Sequence, residues 1–357
     1  MALQFSDLGG WPGVLGRLLV AESLDADEAE CVLGEVLEGR ATPAQLAAFA
    51  VGLRAKGETV EEMEGLVRGI LAHAEPLPID GDLVDVVGSG GDRLRSINVS
   101  TLAACVAAGA GARVCKHGGR AASSAVGTAD VLEALGVVVD LGAAGVTRCV
   151  EEVGMGFCFA PRFHPALRHA APVRRELGVP TVFNFLGPLA NPARAQYQLV
   201  GVSDPSMASK MAGVLGANGS RRAMVVYADD GLDELSVSSQ STVLDLEGDG
   251  SGEFEVRTWR LDPAALGFRG GTLADLVGGD APFNASVIKS VLEGERGPRR
   301  DIGVLNAAAA LVVCGLAQDM DHGARLAESS IDDGKASDVL DGLIRVSQLA
   351  SAEEPAR

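Results

Sequence analysis

The chain has 357 residues, 47% of them apolar and 22% charged, enough for about two domains with a substantial buried core. A formal net charge of −18 and a pI near 4.7 argue against a nucleic acid or an anionic membrane surface as partner. An anionic small molecule stays possible where basic residues gather locally, as they do at Lys116–Arg120 and at Arg174 and Arg175.

In chain order, the first 75 residues read as helices only. Asp25 with Glu28 makes a helix start before Cys31, Val32, Val36 and Leu37. Thr42-Pro43 is a cap followed by proline at the first helical position, and Thr59-Val60-Glu61-Glu62 matches a capping box ahead of Met63, Leu66, Val67 and Ile70. The stretch Ala74–Asp80, AEPLPID, breaks the pattern and reads as a linker. From Asp82 short apolar strands alternate with helices: LVDVVG, ARVCK, GVVVD, FCF, QLVGVS and RRAMVVYA. This predicts an α/β domain with a mainly parallel sheet covered by helices. Two further helix-like stretches lie between Phe163 and Gly178, Leu246–Gly252 reads as a surface turn, and the chain is helical again from Thr272. The domains expected are thus 1–75 (helical) and 80–164 with 191–350 (α/β).

The six cysteines (Cys31, Cys105, Cys115, Cys149, Cys158, Cys314) show no C-x-x-C pairing and mostly sit in apolar runs, as reduced core residues do. MALQFSDLGGWPG lacks the basic start and apolar stretch of a signal peptide, and no apolar run is long enough to span a bilayer, so a cytoplasmic location is expected.

The chemistry concentrates between Asp85 and Ser124. After the strand ending Asp85-Val86-Val87, Gly88-Ser89-Gly90-Gly91-Asp92 forms a loop that is nearly all backbone, able to turn at positive φ and offer N–H groups to an anion. Asn98-Val99-Ser100-Thr101 supplies capping residues before the apolar run from Leu102, so a helix N-terminus points the same way. A second strand, Ala112–Cys115, delivers Lys116-His117-Gly118-Gly119-Arg120 at its carboxyl end, where ligands collect in open α/β sheets. The loop is neither G-x-G-x-x-G nor a P-loop. Further on, Asp229-Asp230-Gly231-Leu232-Asp233-Glu234-Leu235-Ser236 follows a strand; by itself it is either a solvated turn or a pair of hard oxygens for Mg²⁺.

GSGGD, INVST and KHGGR-AASS resemble the anthranilate phosphoribosyltransferases, whose segments run GTGGD, NIST or NLST, and KHGNR-A-SS. The resemblance continues through FCFAPRFHPALRHAAPVRRELGVPTVFNFLGPLANP and DDGLDELS to RDIGVLNAAAAL, roughly residues 10 to 350 in the family's order. It implies a fold of the nucleoside phosphorylase and phosphoribosyltransferase kind. In that fold a discontinuous helical domain takes in part of about 165–190, the active site lies in the cleft below it, and the domain pairs two copies into a homodimer. It implies phosphoribosyl diphosphate and an aromatic amino acid such as anthranilate as ligands, with two Mg²⁺ ions.

Residue by residue, the resemblance gives Gly88, Ser89, Gly90, Gly91, Asp92, Ser96, Asn98, Ser100, Thr101, Lys116, Ser123 and Ser124 to the diphosphate donor. Asp233 and Glu234 go to one metal and Ser100 to the other, with Lys116, Asp233 and Glu234 as the catalytic set. His117, Gly119, His164 and Arg174 go to the acceptor, although either histidine taken alone reads first as a structural hydrogen bond. Displacement of pyrophosphate at C1 then rests on electrostatic stabilisation of the leaving oxygens, with no nucleophilic triad and no assigned base. The sequence departs from the family at Gly119, which replaces an asparagine, at Arg93-Leu94-Arg95-Ser96, and at Ala125-Val126. Three other readings stay open: a paralogue acting on a different aromatic acid, a phosphorolytic enzyme, and a non-catalytic phosphate binder.

Overall fold

A computed structural model describes residues 3–91, 94–121, 126–268 and 271–354. Its helical N-terminal domain has α1 (Gly10–Leu19), α2 (Ala26–Leu37), α3 (Pro43–Lys56) and α4 (Val60–Ala72). The three helix starts read from sequence are all closed as capping boxes. Asp25 and Glu28 exchange hydrogen bonds at 2.8 and 2.9 Å, Thr42 and Gln45 at 3.3 and 2.9 Å, and Thr59 and Glu62 at 3.1 and 2.9 Å, each satisfying donors that a helix start leaves open. Leu46, Phe49, Leu53 and Leu66 are buried within the chain itself, so this apolar face is the domain's own core.

The α/β domain runs β1 (Val84–Gly88), α5 (Val99–Gly109), β2 (Val114–Gly118), α6 (Thr128–Leu135), α7 (Ala143–Val153), β3 (Met155–Phe159) and the single turn α8 (Ala160–Phe163). After a 3₁₀ turn at Pro165–His169 come α9 (Ala171–Leu177), α10 (Phe183–Leu186), β4 (Tyr197–Gly201), α11 (Pro205–Ala217), β5 (Arg222–Ala228), β6 (Ser241–Gly248) and β7 (Phe254–Leu261). The chain closes with α12 (Ala281–Leu292), α13 (Pro298–Val313), α14 (Met320–Asp332) and α15 (Lys335–Glu353).

One seven-stranded sheet has the order β3-β2-β1-β4-β5-β6-β7. Its first five strands are parallel and β6 and β7 antiparallel. Side chains alternate along each strand, so the sheet feeds two cores. Val86, Leu199, Met224 and Val226 pack on the layer of α5, α13 and α15, whereas Val87, Val200, Ala223 and Val225 pack with α11 and the N-terminal helices. Val173, Phe183, Phe185 and Leu186 join this second core, which ties the 170–186 segment to the helical domain.

Two readings need correction. Val137–Asp140 is not a strand: its donors are met locally and from a helix, Val137 N–H by the Leu132 carbonyl and Val138 N–H by Ser347 Oγ at 3.1 Å. Leu246 to Gly248 belong to β6, paired with β7, so the turn is confined to the residues after them.

Candidate active site

A cavity of about 360 Å³ opens at the carboxyl ends of β1 and β2, under the helical domain. Its walls include Gly88, Ser89, Gly90, Ser96, Asn98, Ser100, Lys116, His117, Gly119, His164, Arg174, Asp233 and Glu234, so most of the sequence-derived candidates meet in one place. Asp92, Ser123 and Ser124 lie outside the described residues, as do Arg93 and Ala125. Two candidates are not in the wall. Thr101, one residue after Ser100, is rotated about 100° around α5 and buried in the interior. Gly91, with φ +89°, follows Gly90 with φ +68°, and this pair of left-handed residues turns the chain so that Gly91 does not face the cavity.

The loop is seated on glycines. A Cβ on Gly88 would stand 2.7 Å from Asp233 Oδ2, and one on Gly201 of β4 would stand 1.6 Å from the Asp233 carbonyl oxygen, so the acidic turn lies directly on the ends of β1 and β4. Gly90 N–H donates to Asp233 Oδ2 at 2.6 Å. Ser89 N–H donates to the Gly201 carbonyl at 2.8 Å and Ser89 Oγ accepts from Ser203 N–H at 3.0 Å, so that hydroxyl fastens the loop to the end of β4.

Asn98 stands at the N-cap of α5 but does not cap it through its side chain; its amide donates to the Val126 carbonyl at 3.2 Å and accepts from Asn284 at 2.9 Å. It thereby tethers the cavity rim to α12.

Lys116 is only 1% exposed, and its ammonium donates to the Val86 carbonyl and to Ser100 Oγ at 3.1 Å. Burial pushes its pKa down, against the pull of Asp85 and Glu234. Asp85, fully buried, is raised by burial to about 6, with Lys116 opposing. Asp85 Oδ1 accepts the His117 N–H at 3.1 Å, and Oδ2 accepts from Asn191 Nδ2 at 2.8 Å. Asn191 also donates to the Cys115 carbonyl at 2.8 Å. A carboxylate thus sits beneath the lysine and fixes the strand that carries it. Sequence reasoning passed over Asp85 and Asn191; the signal was an acid in the middle of the apolar run LVDVVG.

The two histidines meet edge to face, ring centroids 5.0 Å apart. His117 Nδ1 contacts the Gly187 carbonyl at 3.2 Å and His164 Nε2 the Ala190 carbonyl at 2.9 Å. A carbonyl only accepts, so each of these nitrogens carries the proton, and among the described residues His117 Nε2 and His164 Nδ1 are left as acceptors without a partner. Burial holds His117 well below its ordinary pKa and lowers His164 to about 4. Both rings are neutral near pH 7.

Arg174 of α9 lies 5.8 Å from the Phe183 ring centroid and, among the described residues, its guanidinium has neither an ion pair nor a hydrogen bond. Burial lowers its pKa. The neighbouring acids are not equivalent: Asp229 pairs with Arg260 and Asp230 accepts from Ser236 and Ser238, while Asp233 and Glu234, each 7% exposed, face the cavity. Among the described residues no three acids, cysteines or histidines form a metal cage. Two carboxylates and a serine hydroxyl beside an anion loop suit an ion completed by substrate phosphates and water.

Family models for the glycosyl transferase family match the chain twice, the a/b domain at residues 80–337 and the helical bundle domain at residues 12–74. The anthranilate phosphoribosyltransferase of Thermomicrobium roseum is 51% identical over 345 residues, covering 96% of this chain and 99% of its own. That of a Nocardioides species is 52% identical over 336 residues, covering 93% and 97%. Among solved structures, the Thermus thermophilus anthranilate phosphoribosyltransferase superposes with a TM-score of 0.87 at 38% identity, covering 94% of this chain and 99% of its own. The Saccharomyces cerevisiae anthranilate phosphoribosyltransferase in complex with phosphoribosyl diphosphate and Mg gives 0.85 at 27% identity, covering 95% and 98%.

Proposed function

The chain belongs to the anthranilate phosphoribosyltransferase family, and we propose on that footing that it transfers the 5-phosphoribosyl group of phosphoribosyl diphosphate to the amine of anthranilate, releasing pyrophosphate. The observation that carries this is the single cavity in which the glycine loop, the first turn of α5 and the acidic pair face an uncommitted Arg174.

The two ends of that cavity have opposite chemistry. At the donor end, Ser100 opens α5, whose N-terminal amides favour an anion, and Lys116 adds a positive charge behind Ser100. Asp233, Glu234 and Ser100 would hold magnesium, for which we propose two ions. When bound, magnesium neutralises charge on the departing diphosphate. At the acceptor end, Arg174 takes the carboxylate of anthranilate. His117 and His164, protonated toward the Gly187 and Ala190 carbonyls, line the same end of the cavity, where an aromatic ring would pack. Burial keeps both imidazoles neutral, so neither sets a positive charge beside the amine. The C1–O bond to diphosphate breaks as the C1–N bond forms, and the amine's proton, made acidic by the new bond, passes to solvent or to the substrate's own ortho carboxylate.

In this reading the enzyme serves tryptophan biosynthesis in the cytoplasm as a homodimer joined through its helical domain. Free thiols at all six cysteines support a reducing compartment. Exposed Leu19, Val20 and Val51, beside a groove lined by Leu15, Leu18 and Ala48, support pairing of two copies there.

The test is loss of anthranilate fluorescence with purified protein, phosphoribosyl diphosphate and Mg²⁺. Consumption that stops with EDTA is expected. Turnover that survives chelation, or a strong preference for another aminobenzoate, would overturn the assignment.

A further inference from the structure

Helix α13 is buried from Ile302 through Val313, and in its middle stands Asn306, itself fully buried. Asparagine is a poor helix former, and a buried amide brings two donors and an acceptor that all need partners. The partners are specific. Asn306 Oδ1 accepts Leu235 N–H at 3.0 Å, and Nδ2 donates to the Leu235 carbonyl at 2.9 Å and to the Ile302 carbonyl at 2.9 Å. One side chain therefore holds both backbone groups of the residue that follows Asp233-Glu234, pairing with it as a neighbouring strand would. An aliphatic residue would suit the helix better and would leave the turn unheld.

The same helix touches the other half of the site. A Cβ on Gly303, nearly one turn before Asn306, would stand 2.6 Å from Leu102 Cδ2, so α13 lies hard against α5, the helix whose first turn carries Ser100. On its opposite side the acidic turn rests on Gly201 and Gly88. Leu235, whose peptide is clamped, is buried, while Asp233 and Glu234 line the cavity.

We propose that Asn306 is a positioning residue for the metal site: by clamping the Leu235 peptide to α13, it sets where Asp233 and Glu234 stand relative to Ser100. This rests on the assignment of the acidic pair to magnesium. Asn306 touches neither substrate nor ion; it acts through the turn.

The experiment measures Mn²⁺ binding to the full-length chain with phosphoribosyl diphosphate present, following the free-ion signal by electron paramagnetic resonance. Wild type, Asn306→Ala and Leu311→Ala are compared, with Tm for each. Leu311 is equally buried in α13, and its side chain cannot hydrogen-bond the turn. Both substitutions lower Tm, but Asn306→Ala weakens Mn²⁺ binding about 10- to 100-fold, the effect of losing a group that orients a ligand. Leu311→Ala keeps the wild-type affinity. Where Asn306→Ala does not fold, Asn306→Ser serves, since its hydroxyl can return to the Ile302 carbonyl while leaving Leu235 unheld.

Wild-type affinity in a folded Asn306 variant overturns the inference and leaves the magnesium assignment standing. Equal weakening in Leu311→Ala also overturns it, because general softening of the helix would then suffice. No Mn²⁺ binding by the wild type itself brings down both.

Discussion

Replacing Arg174 with alanine separates binding from folding. In the free chain the guanidinium is half-buried, with no partner among the described residues beyond the face of Phe183 at 5.8 Å. That contact stabilises by about 0.5–1 kcal/mol, and the desolvation that lowers the arginine's pKa opposes it. Removing the side chain should change the folding free energy by less than about 1 kcal/mol, or about 2 °C in Tm.

The bound state differs. A carboxylate docked on Arg174 gains charge-assisted hydrogen bonds, and truncating one partner of such a pair costs about 2–4 kcal/mol at a half-buried site. The kcat/KM for anthranilate should therefore fall roughly 30- to 700-fold, at about tenfold per 1.4 kcal/mol, with the affinity for phosphoribosyl diphosphate unchanged. Aniline, which lacks the carboxylate, should react equally slowly with variant and wild type. A Tm loss above about 5 °C with the anthranilate KM intact, or a parallel loss with aniline, would show that Arg174 supports the fold rather than the acceptor.

Two further outcomes are expected. Gly119→Asn should fold normally, because among the described residues the new Cβ meets only Ala160 Cβ at an ordinary 3.8 Å, and one added neutral hydrogen bond lowers the anthranilate KM about 2- to 12-fold; an unchanged KM would refute this. His164→Gln keeps a donor for the Ala190 carbonyl and should flatten the acid limb of stability. His164 is neutral in the fold down to about pH 4 but charges below about 6.5 when unfolded, so its stabilisation is full above 6.5 and is lost as the pH falls through about 4. Urea titrations at pH 7 and 4.5 should show the wild type losing about 2–3 kcal/mol more than the variant, and equal losses would refute the assignment.

Local signals were the legible ones. Capping boxes are short-range chemistry, and Thr59 with Glu62 or Asp25 with Glu28 announce their helices without tertiary context. The glycine loop was equally readable, since Gly88 and Gly90 are where a side chain would collide or strain. What stayed hidden depends on distant partners. Val137–Asp140 has the composition of a strand, but Ser347, far along the chain, takes its backbone. Lys116 announced a phosphate contact, whereas the fold places it beneath Ser100, and only the approach of β1 to β2 reveals Asp85 beside it. Asn306 sat within a recognisable motif, yet its role appears only when α13 meets the acidic turn.

The hydrogen bond from Gly90 to Asp233 carries a consequence of its own. An amide suited to a phosphate oxygen is held, in the free chain, by a carboxylate of the protein, an internal competitor for the same donor. If Asp233 holds a cation and the Gly90 amide a phosphate, as proposed, drawing Asp233 toward the cation would free that amide, and filling the amide with phosphate would free Asp233. Each ligand thus removes the other's rival, and by thermodynamic reciprocity the two raise each other's affinity by one common factor.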